Sequence, residues 1–249
     1  QAYDENNGVL CGIVSSDKVY EHILSNNPKN LGDIIEGQSF VIDGMKVTII
    51  SPDVDKLNQL REKYSNHRPL CKSEIDKASV EAGSVMDDYF IPLQKFNLDY
   101  FQEDTSVENA SSIAAVFEYD DKRILWLSDS VPSVVMKSLF MLGFSETNKM
   151  YCDAVLLSHH GSAANNSLAL LRMIQADKYI IRADGMNGHC LPNKETIARI
   201  VSASSNLPVT LYFNYEDGRL IKMFKSDAQE DVKSRIDVHY LKDMEAIEF

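Results

Sequence analysis

Residues 156–162 read Leu-Leu-Ser-His-His-Gly-Ser, an apolar run that stops at two adjacent histidines and a glycine. With only six histidines in 249 residues, a pair at the end of an apparent buried strand points to imidazole chemistry around something small and charged. Two other stretches end in residues of the same kind. Residues 123–128 run into Asp129, and residues 178–183 lead through Asp184-Gly185-Met186-Asn187-Gly188 to His189. A carboxylate beside imidazoles suits Zn, Mn or Fe. Such an ion neutralises a phosphate or generates hydroxide near neutral pH. Taken singly, each residue has a plainer role: Asp129 as a helix cap before Pro132, His189 as a solvated loop residue, and His22, His67 and His239 as surface histidines. Joint position at three strand ends sets Asp129, His160 and His189 apart.

Strands and helices must bring those ends together. Residues 40–50 are two β-rich runs around Asp43-Gly44, a hairpin signal. A helix follows from Asp53, its cap, with Val54, Leu57, Leu60 and Tyr64 at helical spacing, ending before His67-Arg68-Pro69. Residues 66–107 have no clean period and carry an aromatic cluster, Tyr89, Phe90, Phe96, Tyr100 and Phe101. That reads as an insertion or lid whose aromatics anchor it to the core. Residues 112–119 and 123–127 form an antiparallel pair turning at Asp120-Asp121-Lys122, and residues 132–142 a helix with proline in its first turn. The continuous apolar run at 153–158 is a strand covered on both faces. Then come a helix at 167–175, a strand at 178–183, a helix at 193–203 and a hairpin of 209–213 with 220–224 across Glu216-Asp217-Gly218. Residues 225–249 read as a peripheral segment. The alternation predicts a layered α/β domain whose loops converge on one edge of the sheet.

The 25 Lys and Arg against 37 Asp and Glu give a net charge of −12, which repels nucleic acid wherever the acidic surface faces phosphates. A polyanionic substrate therefore needs local neutralisation, most simply by metal ions. No apolar run reaches the length of a membrane helix. Cys11, Cys71, Cys152 and Cys190 show no Cys-x-x-Cys spacing, which favours reduced thiols and a cytoplasmic setting.

Three motifs in order carry a family resemblance: the stretch from Asn109 to Asp129 (NASSIAAVFEYDDKRILWLSD), the stretch from Asp153 to Ser162 (DAVLLSHHGS) and the stretch from Gly185 to Asn193 (GMNGHCLPN). Together they resemble the later half of metallo-β-lactamase fold hydrolases, particularly the branch of the DNA-uptake competence proteins of the ComEC type. The resemblance spans residues 35–215 and implies an αββα sandwich with a one- or two-metal site, Zn or Mn, at the sheet edges. It implies that Asp129 bridges two metals, that His189 serves the second metal, and that Asn109 stands where many members have a third histidine. His159 and His160 match a histidine pair of which at least one touches metal or the scissile phosphate. Ser128 replaces a usual glycine, and Cys190 separates His189 from Leu191-Pro192. The His-x-His-x-Asp-His motif that supplies most ligands of the first metal appears nowhere in the sequence. With Gln1 opening the chain, the expectation is a single metallo-β-lactamase-like domain, residues 1–249, whose N-terminal part is missing or supplied by a partner chain. The implied function is metal-dependent hydrolysis of a phosphodiester or phosphoester, in a small molecule or a nucleic acid. The alternatives are a catalytically silent binding or assembly subunit, and an ester or amide hydrolase of the same fold.

Overall fold

The computed structural model describes residues 32–67, 87–183, 190–242 and 246–248. The chain divides into two compact units, Ile34–Leu60 with Ser84–Phe249, and Gln1–Asp33 with Arg61–Gly83. In the second, the described part is residues 32–33 and 61–67, where Arg61 pairs with Asp33. The larger unit holds a single mixed α/β layer pair.

Eight strands form one sheet in sequential order: β1 (Ser39–Ile42), β2 (Met45–Ser51), β3 (Ala114–Tyr119), β4 (Lys122–Trp126), β5 (Met150–Leu156), β6 (Ile174–Ile181), β7 (Val209–Phe213) and β8 (Ile236–Tyr240). Neighbours from β1 to β4 are antiparallel, and those from β4 to β8 are parallel. Local turn chemistry explains two of the antiparallel pairings. Asp43-Gly44 (φ 49° and 86°) and Asp120-Asp121 (φ 47° and 60°) place both central residues in the left-handed region, the tight turn whose twist matches that of the flanking strands. Between β2 and β3 lie α1 (Val54–His67), capped by Asp53, whose Oδ1 accepts the Lys56 N–H at 2.9 Å, and the short α2 (Val107–Ala110).

The parallel half is joined through α3 (Pro132–Met141), α4 (Leu168–Arg172), α5 (Lys194–Ala203) and α6 (Gln229–Arg235). Right-handed crossovers that always step to the next strand on the same side place their helices on one face of the sheet. The main core agrees with that rule: Leu125, Leu127, Val155, Leu157, Tyr179, Ile181, Leu211 and Phe213 of the sheet pack with Val135, Leu139, Leu171, Ile197 and Ile200 of the helices. On the opposite face the register aligns Trp126, Leu156, Ile180 and Tyr212 in a row across four parallel strands.

Several expectations change. The resemblance implied two sheets between helix layers; the described residues form one sheet. The helix expected over 167–175 stops at Arg172, because parallel pairing sets Met150 against Ile174 and draws 174–177 into β6. The hairpin expected across 216–218 is absent. Leu220–Lys222 is a 3-10 turn instead, with Leu220 and Met223 fully buried, and β7 takes β8 as its parallel neighbour. The segment expected as peripheral thereby supplies the edge strand of the sheet. Of the aromatics at 87–101, Tyr89 is buried and Phe96 packs on the core, whereas Phe90 and Tyr100 are exposed.

Candidate functional site

Because β4, β5 and β6 run parallel, their C-terminal ends share one edge of the sheet, where loops of α/β proteins gather functional groups. Leu127-Ser128-Asp129 leaves β4, Ser158-His159-His160-Gly161 leaves β5, and Arg182-Ala183 leaves β6. Backbone bonds lock these ends to one another. The His159 N–H donates to the Ser128 carbonyl at 2.8 Å, and the Leu127 and Leu157 amides continue the ladders to Leu156 and Ile180. His159, His160 and Gly161 have φ of 44°, 58° and 84° in succession, and Ser128 has 50°. Left-handed backbone at non-glycine residues stores strain that the surroundings must hold. Ser128 takes a positive φ that glycine adopts without strain. At Gly161 a Cβ would lie 2.8 Å from the Pro192 Cβ, so glycine is required there twice over.

The two imidazoles lie 6.0 Å apart, centroid to centroid, at 60°. His160 is exposed, and its Nδ1 bonds to the Arg182 carbonyl. A carbonyl only accepts, so Nδ1 carries a proton, and in the neutral ring Nε2 is bare. His159 is half-buried. Its Nδ1 lies 3.1 Å from Asn165 Oδ1 and 3.5 Å from Asp104 Oδ2. The Asn165 amide nitrogen faces three acceptors, Asp104 Oδ2 at 3.1 Å and the Asp129 and Ser130 carbonyls at 3.3 and 3.4 Å. That orients Oδ1 toward the ring; the Asn109 amide, 3.3 Å from the same Nδ1, is turned to Asp104 Oδ2 at 2.6 Å, so His159 Nδ1–H donates to the nearer Asn165 Oδ1. The network therefore assigns a bare Nε2 to this ring as well. Imidazoles anchored through Nδ1–H present Nε2 for accepting a proton or ligating a cation.

Asp104 is the anion behind His159. Burial pushes its carboxyl up, but donation from Asn109 Nδ2 at 2.6 Å, the Ser106 amide at 2.8 Å and Asn165, with the His159 ring alongside, holds it below the usual carboxylate range. Further bonds brace the loop: Asn166 accepts the Ser158 amide and donates to the Ser158 and Ser162 carbonyls, and buried Ser158 donates from Oγ to the Ser130 carbonyl at 2.7 Å. The Gly161 carbonyl accepts from Asn193 N–H and Thr196 Oγ, tying the loop to the start of α5. Beside the cluster, α3, α4 and residues 98–103 enclose a largely apolar groove of about 870 Å³.

Asp129, His159, His160 and Asn109 thus stand at one edge. Asn109 serves Asp104 through its amide, and Nδ2 lies 3.3 Å from His159 Nδ1. Asp129 does not cap α3: the N-cap is Val131, without a side-chain bond, and Glu103 accepts the Ser133 N–H at 2.7 Å. His189 lies outside the described residues, as do Cys11, Cys71 and His22. Among the described residues no three His, Cys, Asp or Glu side chains stand close enough to share a metal ion. Those residues alone therefore do not make a metal shell. Sequence reasoning missed Asp104, Asn165 and Asn166. The Asn165-Asn166 pair lies two alanines after the histidine motif and was a usable signal; Asp104 sits in an aperiodic stretch that offered none.

No family model and no curated protein matches the chain. A solved structure described as "Crystal Structure of a New Diphosphatase from the PhnP Family" shows similarity at 20% identity and a TM-score of 0.24, over 58% of this chain and 43% of that one. The chain spans less than half the length of that protein. Among the described residues no helix is long and apolar enough to cross a membrane.

Proposed function

We propose that the chain is a phosphoester or phosphodiester hydrolase of the metallo-β-lactamase type, with its working groups at the shared end of β4, β5 and β6. One observation carries this reading: two adjacent imidazoles, each anchored through Nδ1–H, leave bare Nε2 atoms at the same edge as Asp129. In that role His159 takes up a proton at Nε2, and Asp104 Oδ2, 3.5 Å from its Nδ1, offsets the resulting charge. The exposed His160 offers its bare Nε2 as a second proton acceptor or as a ligand for a cation. A divalent metal, Zn or Mn, is the cofactor the resemblance implies. Asp129 and His160 of its expected ligands stand at this edge, and His189 completes the expected set. The competence-protein branch rests on the motifs alone.

The test uses the natural full-length protein. Asp129→Ala and His160→Gln should each lower turnover of a generic phosphodiester at least ~100-fold, the scale of losing a positioned acid, base or electrostatic group, with the fold retained. Retained turnover in both variants refutes the assignment. Metal analysis of the chain after dialysis should give well under one equivalent if residues outside this sequence are needed. A tight stoichiometric ion would mean that this sequence holds the ligands by itself.

A further inference from the structure

Arg199 of α5 is 2% exposed, among the largest fully buried side chains. Its Nη1 donates to the carbonyls of Ala163 and Asn166, and its Nη2 to the Tyr100 carbonyl at 3.2 Å and to the Glu195 carboxylate. The guanidinium carbon lies 5.2 Å from the centre of the Phe101 ring. These contacts are not scattered. Ala163 and Asn166 flank Asn165, whose Oδ1 accepts the hydrogen bond from His159 Nδ1–H. Tyr100 and Phe101 lead into Asp104, the carboxylate behind it. The two segments also meet directly, the Asp104 N–H donating to the Ala164 carbonyl at 3.1 Å. A planar guanidinium spans three carbonyls and a carboxylate at once, whereas an ammonium presents three donors from a single point.

We propose that Arg199 is a positioning residue for His159. It staples the 163–166 loop to the 100–104 segment, so that Asn165 Oδ1 and Asp104 hold the Nδ1–H tautomer and keep Nε2 bare. The proposal deepens the functional reading by adding the residue that sets the proton on one of its two imidazoles. Its test reads the ring itself, so it can stand or fall apart from any turnover.

The experiment is long-range proton–nitrogen correlation NMR on the ¹⁵N-histidine-labelled chain, above the ordinary imidazole titration range, with His159 assigned from a His159→Gln sample. The wild type should show a protonated Nδ1 and an unprotonated Nε2. Arg199→Lys keeps the charge but not the fork. With the chain still folded by circular dichroism, it should turn the single tautomer into a mixture, and a His159 pattern unchanged from wild type overturns the proposal. Ile200→Val, a core truncation on the same helix, should leave one tautomer. Mixing in that variant would mean that general loosening of α5 is sufficient, which also overturns the proposal. Should Arg199→Lys fail to fold, Arg199→Gln decides in its place, because it buries no charge and its single amide group cannot span the Ala163, Asn166 and Tyr100 carbonyls. Partial mixing supports the staple, and a single tautomer overturns it.

Discussion

Replacing Asn165 by aspartate exchanges an N–H donor for a carboxylate oxygen at nearly constant shape. Asn165 is fully buried, and its Nδ2 faces Asp104 Oδ2 at 3.1 Å together with the Asp129 and Ser130 carbonyls. The loss begins with the hydrogen bonds. The amide's two hydrogens and its Oδ1 account for about three bonds at roughly 0.5–1.5 kcal/mol each, so Asn165→Ala should cost about 2–4 kcal/mol. The aspartate adds repulsion. Two unit charges 3.1 Å apart oppose each other by about 1 kcal/mol in a water-like medium and about 5 kcal/mol at an effective dielectric near 20. The pair can escape part of that cost by binding one proton between them. The pH dependence then follows by linkage. In the wild type the Asp104 pKa is lowered, so its stabilisation is present above the ordinary carboxylate range and fades as pH falls through the lowered value. In Asn165→Asp the pair's folded pKa is raised above the unfolded one, so the folded state binds the extra proton. The penalty is full at neutral pH and shrinks as pH falls through the raised value. Urea unfolding at a series of pH values checks this. The gap between wild type and Asn165→Asp should narrow on acidification, while the gap to Asn165→Ala stays flat from about pH 5 to 8. A pH-independent Asn165→Asp deficit no larger than that of Asn165→Ala would refute the arrangement of Asn165 against Asp104.

Gly161→Ala should destabilise the chain by about 2 kcal/mol or more, because the new methyl meets Pro192 at 2.8 Å and φ is +84°; an unfolding midpoint equal to wild type would contradict this packing. Glu103→Ala removes the bonds to the Ser133 N–H and Oγ at the start of α3 and should cost about 1 kcal/mol, whereas Asp129→Ala should leave the unfolding midpoint within about 0.5 kcal/mol of wild type because Asp129 does not cap that helix. Burial pushes the Cys152 thiol up to about 12. A thiol reagent at mildly alkaline pH should therefore modify Cys152 only as fast as the protein unfolds, and prompt modification mapped to Cys152 by peptide mass analysis would contradict its burial.

Much of this molecule is written in short-range chemistry. Asp43-Gly44 and Asp120-Asp121 fix two hairpins because tight turns need residues that tolerate positive φ. Pro132 marks the start of a helix, and the apolar run before Ser158 announces a strand covered on both faces. The motif at 156–162 located the candidate site from residue types alone, since a strand end, two imidazoles and a glycine are all local features. The hairpin expected across 216–218 failed for the opposite reason: a β-rich run at 220–224 cannot reveal that Leu220 and Met223 will be buried as a turn while a strand some twenty residues later pairs with β7. The same limit applies to Asp104 and Arg199. An acid in an aperiodic segment and an arginine on an amphipathic helix look like surface residues in sequence. They become the anion behind His159 and the staple beneath Asn165 only when parallel pairing of β4, β5 and β6 stacks three chain ends at one edge. Sequence determined which atoms have chemistry to offer. Tertiary structure decided which nitrogen carries the proton, because that depends on acceptors contributed by residues 6 and 55 positions away along the chain.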